Sequence, residues 1–94
     1  MTPIQSLRLL ARLAESVGTE PTFRLFLDGI EWLVGNRRIE AWADHEGVCV
    51  IATFMDKSQE AECWDITTSE ADIAAHAARI RLFLAYAKPT VLVE

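Results

Sequence analysis

Basic residues and cysteines are both scarce in this 94-residue chain. Nine Lys and Arg stand against fourteen Asp and Glu, giving a net charge of −5 and a pI near 4.9. Binding to DNA or RNA is driven by Lys and Arg displacing counterions from phosphates, so nucleic acid is disfavoured as a direct ligand. The two cysteines, Cys49 and Cys63, are isolated thiols in apolar surroundings, too few for a small secreted disulfide scaffold, and a reducing cytoplasmic setting is expected. No apolar run approaches the ~20 residues that a bilayer requires. The start, Met1-Thr2-Pro3-Ile4-Gln5, lacks the charged region, apolar run and small-residue cleavage site of a signal peptide. With only four glycines and three prolines, and 51% hydrophobic residues, the composition is that of an ordered globular domain with no repeat, linker or low-complexity tract. A chain of this mass buries roughly 64% of its unfolded surface, enough for one core, so residues 1–94 are read as a single domain.

Catalytic and cofactor motifs are also missing. Ser69, Asp72 and His76 fall on one face of a predicted helix, but a Ser two turns from a His lies about 10 Å away at 1.5 Å per residue, too far for a nucleophile and its base. Helix capping and an Asp72–His76 pair explain these residues instead. His45, Cys49, Cys63 and His76 are the residue types that zinc selects, yet no two have the short spacing of a metal clip, and four strand positions separate His45 from Cys49 by roughly 13 Å. Two buried thiols, a turn histidine and an ion-paired histidine are expected, with no metal and no cofactor. Carboxylate pairs such as Glu60 with Glu62 and Glu40 with Asp44 would sit two or four strand positions apart, but an acid/base enzyme needs a desolvated pocket that short strands rarely enclose. Arg37-Arg38 is read as a solubilising pair at a strand end, too small a patch for phosphate recognition. A catalytic role is not expected.

The secondary-structure pattern is readable along most of the chain. Thr2 as N-cap, Pro3 in the first turn, Gln5 three after the cap and Gly18 past the last apolar residue predict a helix from the second residue to Val17. Its apolar arc, Ile4, Leu7, Leu10, Ala11, Leu13, Ala14 and Val17, is wider than one sheet contact needs. Residues 20–36 read two ways: Phe23, Phe26, Leu27, Ile30, Leu33 and Val34 fall at helical spacing, whereas Asp28-Gly29 between apolar runs marks a hairpin, Thr22–Leu27 against Ile30–Val34 across a type I′ turn. The hairpin is preferred. Strands are predicted from Arg37 to Asp44, from Val48 to Met55 and from Glu60 to Ile66, joined by turns at Asp44–Gly47 and Asp56–Gln59. In the last strand the register chosen points Ala61 and Cys63 inward. A second helix starts at a capping box around Thr67–Asp72 and runs to about Ala87, with one arc of Ile73, Ala77, Ile80 and Leu84 and a second, alanine-rich arc suited to close helix approach. Thr90–Val93 is read as a short edge strand. The fold expected is α+β: an N-terminal helix, an antiparallel meander of four or five strands, and a C-terminal helix packed with helix 1 on one sheet face.

What is present in excess is negative charge in one window. From Asp28 to Asp72 the chain has eleven acids and three bases, net −8, against net +3 elsewhere, and the three tryptophans lie in the same window. Strand alternation brings Glu40, Trp42, Asp44, Glu60, Glu62 and Trp64 onto one face, with Glu31 and Trp32 as neighbours. Tryptophan is a preferred interface anchor and carboxylates orient a basic partner. The functional expectation is therefore a small acidic binding or inhibitory module that docks on a basic surface of a larger protein, one that itself handles nucleic acid in the sharper version, where carboxylates mimic a phosphate backbone as in small phage-encoded inhibitors. The alternatives are a homo-oligomeric accessory protein that dimerises through its helices, and a small acid/base enzyme.

Overall fold

A computed structural model describes residues 2–24, 29–44, 47–55, 61–66 and 70–87, and side chains within these spans except those of Asp65, Ile66 and Glu70. It contains helix α1 (Pro3–Val17), strands β1 (Thr22–Phe23), β2 (Ile30–Val34), β3 (Arg37–Asp44), β4 (Gly47–Phe54) and β5 (Ala61–Ile66), and helix α2 (Glu70–Ala85). The five strands form one antiparallel sheet in chain order, and α1 and α2 pack on each other and on the same sheet face, the α+β architecture expected. None of the described helices is long and apolar enough to cross a membrane.

Helix α1 begins as its sequence dictates. The Thr2 hydroxyl accepts from the Gln5 amide at 3.2 Å while the Gln5 side chain accepts from the Thr2 amide at 2.8 Å, so the capping box satisfies two donors that the helix leaves open. Gly18 ends the helix in the left-handed conformation. Leu9, Leu10, Leu13 and Val17 are buried against the sheet and α2; full burial of a side chain such as Leu13 contributes about 1.5–3 kcal/mol. The remainder of the wide arc stays outside, with Ile4 and Leu7 exposed. On α2, Ile73, Ala77, Ile80 and Leu84 enter the core, as does Phe83. The alanine-rich arc does not receive α1: Ala74, Ala75, Ala78 and Ala85 are exposed, and so are Leu82 and Tyr86 beside them. Residues 67–69, which open the predicted capping box, and the edge strand predicted at Thr90–Val93 lie outside the described residues, as do residues 45–46 and 56–59 of the predicted turns.

The hairpin reading of residues 22–34 is correct in pairing and wrong in register. Phe23 lies opposite Ile30, so the connection spans residues 24–29 and is not a two-residue turn at Asp28-Gly29. Gly29 serves a different purpose: a Cβ built on it would overlap the Ala41 carbonyl oxygen and come within 2.9 Å of the Trp42 Cβ, so only glycine lets the chain pass so close to β3. The two-residue hairpin turn is Gly35-Asn36, closed by Val34 opposite Arg37, with Gly35 at φ 56°. Pairing from β2 to β5 then sets the faces. Trp32, Ile39, Val50, Ala52 and Trp64 point at the helices, and Glu31, Glu40, Trp42, Cys49, Ile51 and Cys63 occupy the opposite side.

Candidate functional site

Among the described residues, one face of the sheet has no helix against it, and β3 supplies its centre. Alternation places Arg38, Glu40, Trp42 and Asp44 there, while Ile39 and Ala41 between them are fully buried beneath the helices. Register sets Glu31 opposite Glu40, and Ile51 and Cys49 of β4 opposite Glu40 and Trp42. The acids are engaged within the fold. Arg24 Nε is 3.2 Å from Glu40 Oε2 with its guanidinium 4.9 Å from the Trp42 ring centre, and Arg38 Nε is 3.8 Å from Glu31 Oε2. The Cys49 thiol donates to Asp44 Oδ2 at 3.3 Å. These pairs are partly exposed, and each contributes about 1 kcal/mol or less. Around them, Trp42 and Ile51 are half-buried and Leu33, Ala61 and Cys63 exposed, so apolar groups flank the charged residues of β3.

The six residues that the sequence grouped are therefore divided between two faces. Glu40, Trp42 and Asp44 share the open face, Glu60 lies outside the described residues, and Glu62 and Trp64 belong to the helix side. The expected register of β5 is inverted: Trp64 pairs with Val50 and Glu62 with Ala52, both core-facing positions, while Ala61 and Cys63 are exposed. The physical reason is area. An indole removes some 150–250 Å² from water, far more than a thiol, so the parity that buries Trp64 wins over the one that buries Cys63. Trp64 is 5% exposed and Trp32 2%, the latter donating from Nε1 to the Thr19 carbonyl at 2.7 Å. Cys49 is half-buried and Cys63 exposed, so the thiols are not the two buried groups expected.

A second constellation, not grouped by the sequence, lies where α2 crosses the sheet beside β5. Arg37 is not an exposed strand-end cation: its guanidinium lies against two rings, 4.8 Å from the centre of Phe54 and 4.6 Å from that of Phe83. Phe83 meets Phe54 and Trp64 edge-on, with centres 5.2 and 6.0 Å apart. Arg79 lies 4.0 Å over the Trp64 ring and 3.0 Å from Glu62 Oε1. Arg37, Glu62, Trp64, Arg79 and Phe83, with Leu82 and Tyr86, line a cleft of about 250 Å³. The only sequence signal for it was Arg37 sharing a strand parity with the core residues Ile39 and Ala41.

No protein family, curated protein or solved structure matches this chain. Functional inference rests on its own geometry. Among the described residues no three of His, Cys, Asp and Glu converge as a metal site would require, and Ser69 and His45 fall outside those residues.

Proposed function

We propose that this chain is a small, acidic, non-catalytic protein-binding module of the cytoplasm whose open sheet face docks on a basic surface of a larger protein, with Trp42 as anchor and Glu40 and Asp44 as the carboxylates that orient it. One observation carries the reading: Arg24 already lies against Trp42 and Glu40, so the bare face holds a seat for a guanidinium, with an aromatic ring below and a carboxylate beside it. An arginine of a partner can take that seat by displacing Arg24, exchanging one surface pair for another at small net cost. Apolar Trp42, Ile51 and Cys63 interspersed with charged groups suit a transient, polar interface, and a net charge of −5 draws basic partners towards it. In the sharper form, the carboxylates imitate a phosphate backbone on a nucleic-acid-handling partner, and Arg24 and Arg38 then turn away from Glu40 and Glu31.

The test is affinity capture from a host lysate with wild type, Trp42→Ala, Glu40→Lys and Glu62→Lys, each checked for folding by circular dichroism. Trp42→Ala is expected to weaken capture by about 2 kcal/mol, roughly thirty-fold, as loss of an interface anchor does. Glu40→Lys abolishes capture and added salt weakens it, while Glu62→Lys, on the other side of the sheet, changes nothing. Equal capture by all four proteins would reject the assignment. A homodimer through the helices is the second reading, favoured by the exposure of Ile4 (62%) and Leu7 (57%) on α1 and of Leu82 (58%) and Tyr86 (65%) on α2. Light scattering separates the two, since a salt-insensitive dimer supports the helical interface and a monomer supports the docking module.

A further inference from the structure

We propose that the cleft between α2 and the β3–β5 side of the sheet is a second binding site, specific for a free carboxylate carried on an apolar body of about amino-acid size. The argument starts from Arg37. Arg24, Arg38 and Arg79 each face a carboxylate, and Arg81 donates to the Ser16 carbonyl, but Arg37 has no ion pair among the described residues. Its Nε is buried without a hydrogen-bond partner while the guanidinium lies beside the edge-packed pair of Phe54 and Phe83, in contact with both. Contact with two rings holds the group in place without supplying an acceptor, and its fork of N–H donors is matched to a carboxylate.

A second observation at the same place points the same way. Trp64 lines the cleft, is 5% exposed, and its Nε1–H has no acceptor, in contrast to Trp32, whose buried Nε1–H is bonded to Thr19. Indole N–H groups normally find a partner when buried. Charge is consistent too: Arg37 and Arg79 against Glu62 leave the cleft net positive in a chain that is otherwise acidic. Leu82 and the Tyr86 ring are both exposed and form an apolar wall, which selects a carboxylate with a hydrophobic body over a bare anion. At about 250 Å³ the space fits one amino-acid-sized group, as a small acid or as the last residue of a peptide chain.

The experiment follows the Trp64 indole and Arg37 Nε–H resonances by nitrogen-15 correlation spectroscopy while N-acetyl-phenylalanine is added, with N-acetyl-phenylalaninamide and inorganic phosphate as controls. Saturable shifts of both resonances are expected with the acid, with affinity about ten-fold or more above that of the amide, the worth of one charge-assisted pair. Phosphate, lacking the apolar body, should bind more weakly than the acid. Arg37→Gln should remove the discrimination between acid and amide. Because Arg37 is also packed, Leu82→Glu at an exposed position provides a folded variant that places a repelling carboxylate in the cleft and should abolish binding. A tripeptide ending in free phenylalanine distinguishes the sources: tighter binding than N-acetyl-phenylalanine assigns the site to a chain end, and equal binding assigns it to a small acid. Shifts that fail to saturate, acid and amide binding alike, or unchanged binding in Leu82→Glu would overturn the proposal.

Discussion

Replacing Gly29 with alanine puts a methyl group where the Ala41 carbonyl oxygen and the Trp42 Cβ already stand. Both obstacles are anchored: the carbonyl belongs to β3, a strand paired on both sides, and the Cβ cannot rotate away. Relief requires the start of β2 to lift from β3, which strains the pairing of Ile30 with Ala41 and the bond from the Arg24 amide to the Gly29 carbonyl, 3.0 Å long. Overpacking of this kind costs about 1–3 kcal/mol, and a weakened backbone hydrogen bond about 1 kcal/mol more. The expected loss is therefore about 2–4 kcal/mol, a large share of the roughly 5–15 kcal/mol that holds a small domain together. Urea unfolding followed by tryptophan fluorescence measures it directly, as a fall in the midpoint at constant slope. The comparison with Gly29→Asn is decisive. Were Gly29 present for a left-handed turn conformation, Asn would be tolerated better than Ala. Steric exclusion by β3 makes both harmful, with Asn at least as bad. A loss below about 0.5 kcal/mol for Gly29→Ala, or recovery with Asn, would refute the close-approach account.

Two further outcomes are expected from particular contacts. Thr2→Ala removes the hydroxyl that accepts from Gln5 and should cost about 1 kcal/mol, lowering the thermal midpoint by roughly 4–8 °C, read by calorimetry. Trp32→Phe removes the Nε1 donor to Thr19 and leaves unfilled space at a position 2% exposed, so about 1–3 kcal/mol should be lost in urea unfolding.

Helix α1 was legible because its signals are local: cap, box, apolar spacing and terminal glycine all act within a few residues of one another. The strands β3 and β5 were legible for the same reason, from alternation and turn residues, and β4 as an apolar run between two turns. The candidate site was half legible. Glu40, Trp42 and Asp44 lie on one strand, so their common face follows from period two alone. Adding Glu62 and Trp64 required the parity of a different strand, which depends on what lies above it. The cleft around Arg37 could not be read, since its parts come from β3, β5 and α2 and meet only when α2 is laid down.

By itself, the amino-acid pattern determined the class of fold, the order of its elements and the acidic character of the central window, because propensity, capping and charge are properties of short stretches of chain. Tertiary structure alone decided which tryptophans are buried, which acids acquire arginine partners, and that Gly29 is held by steric contact with β3. Those outcomes depend on competition for one limited interior: the side of the sheet covered by α1 and α2 takes Trp32 and Trp64 because they bury the most area, and the polar residues of alternate parity are left to the bare face.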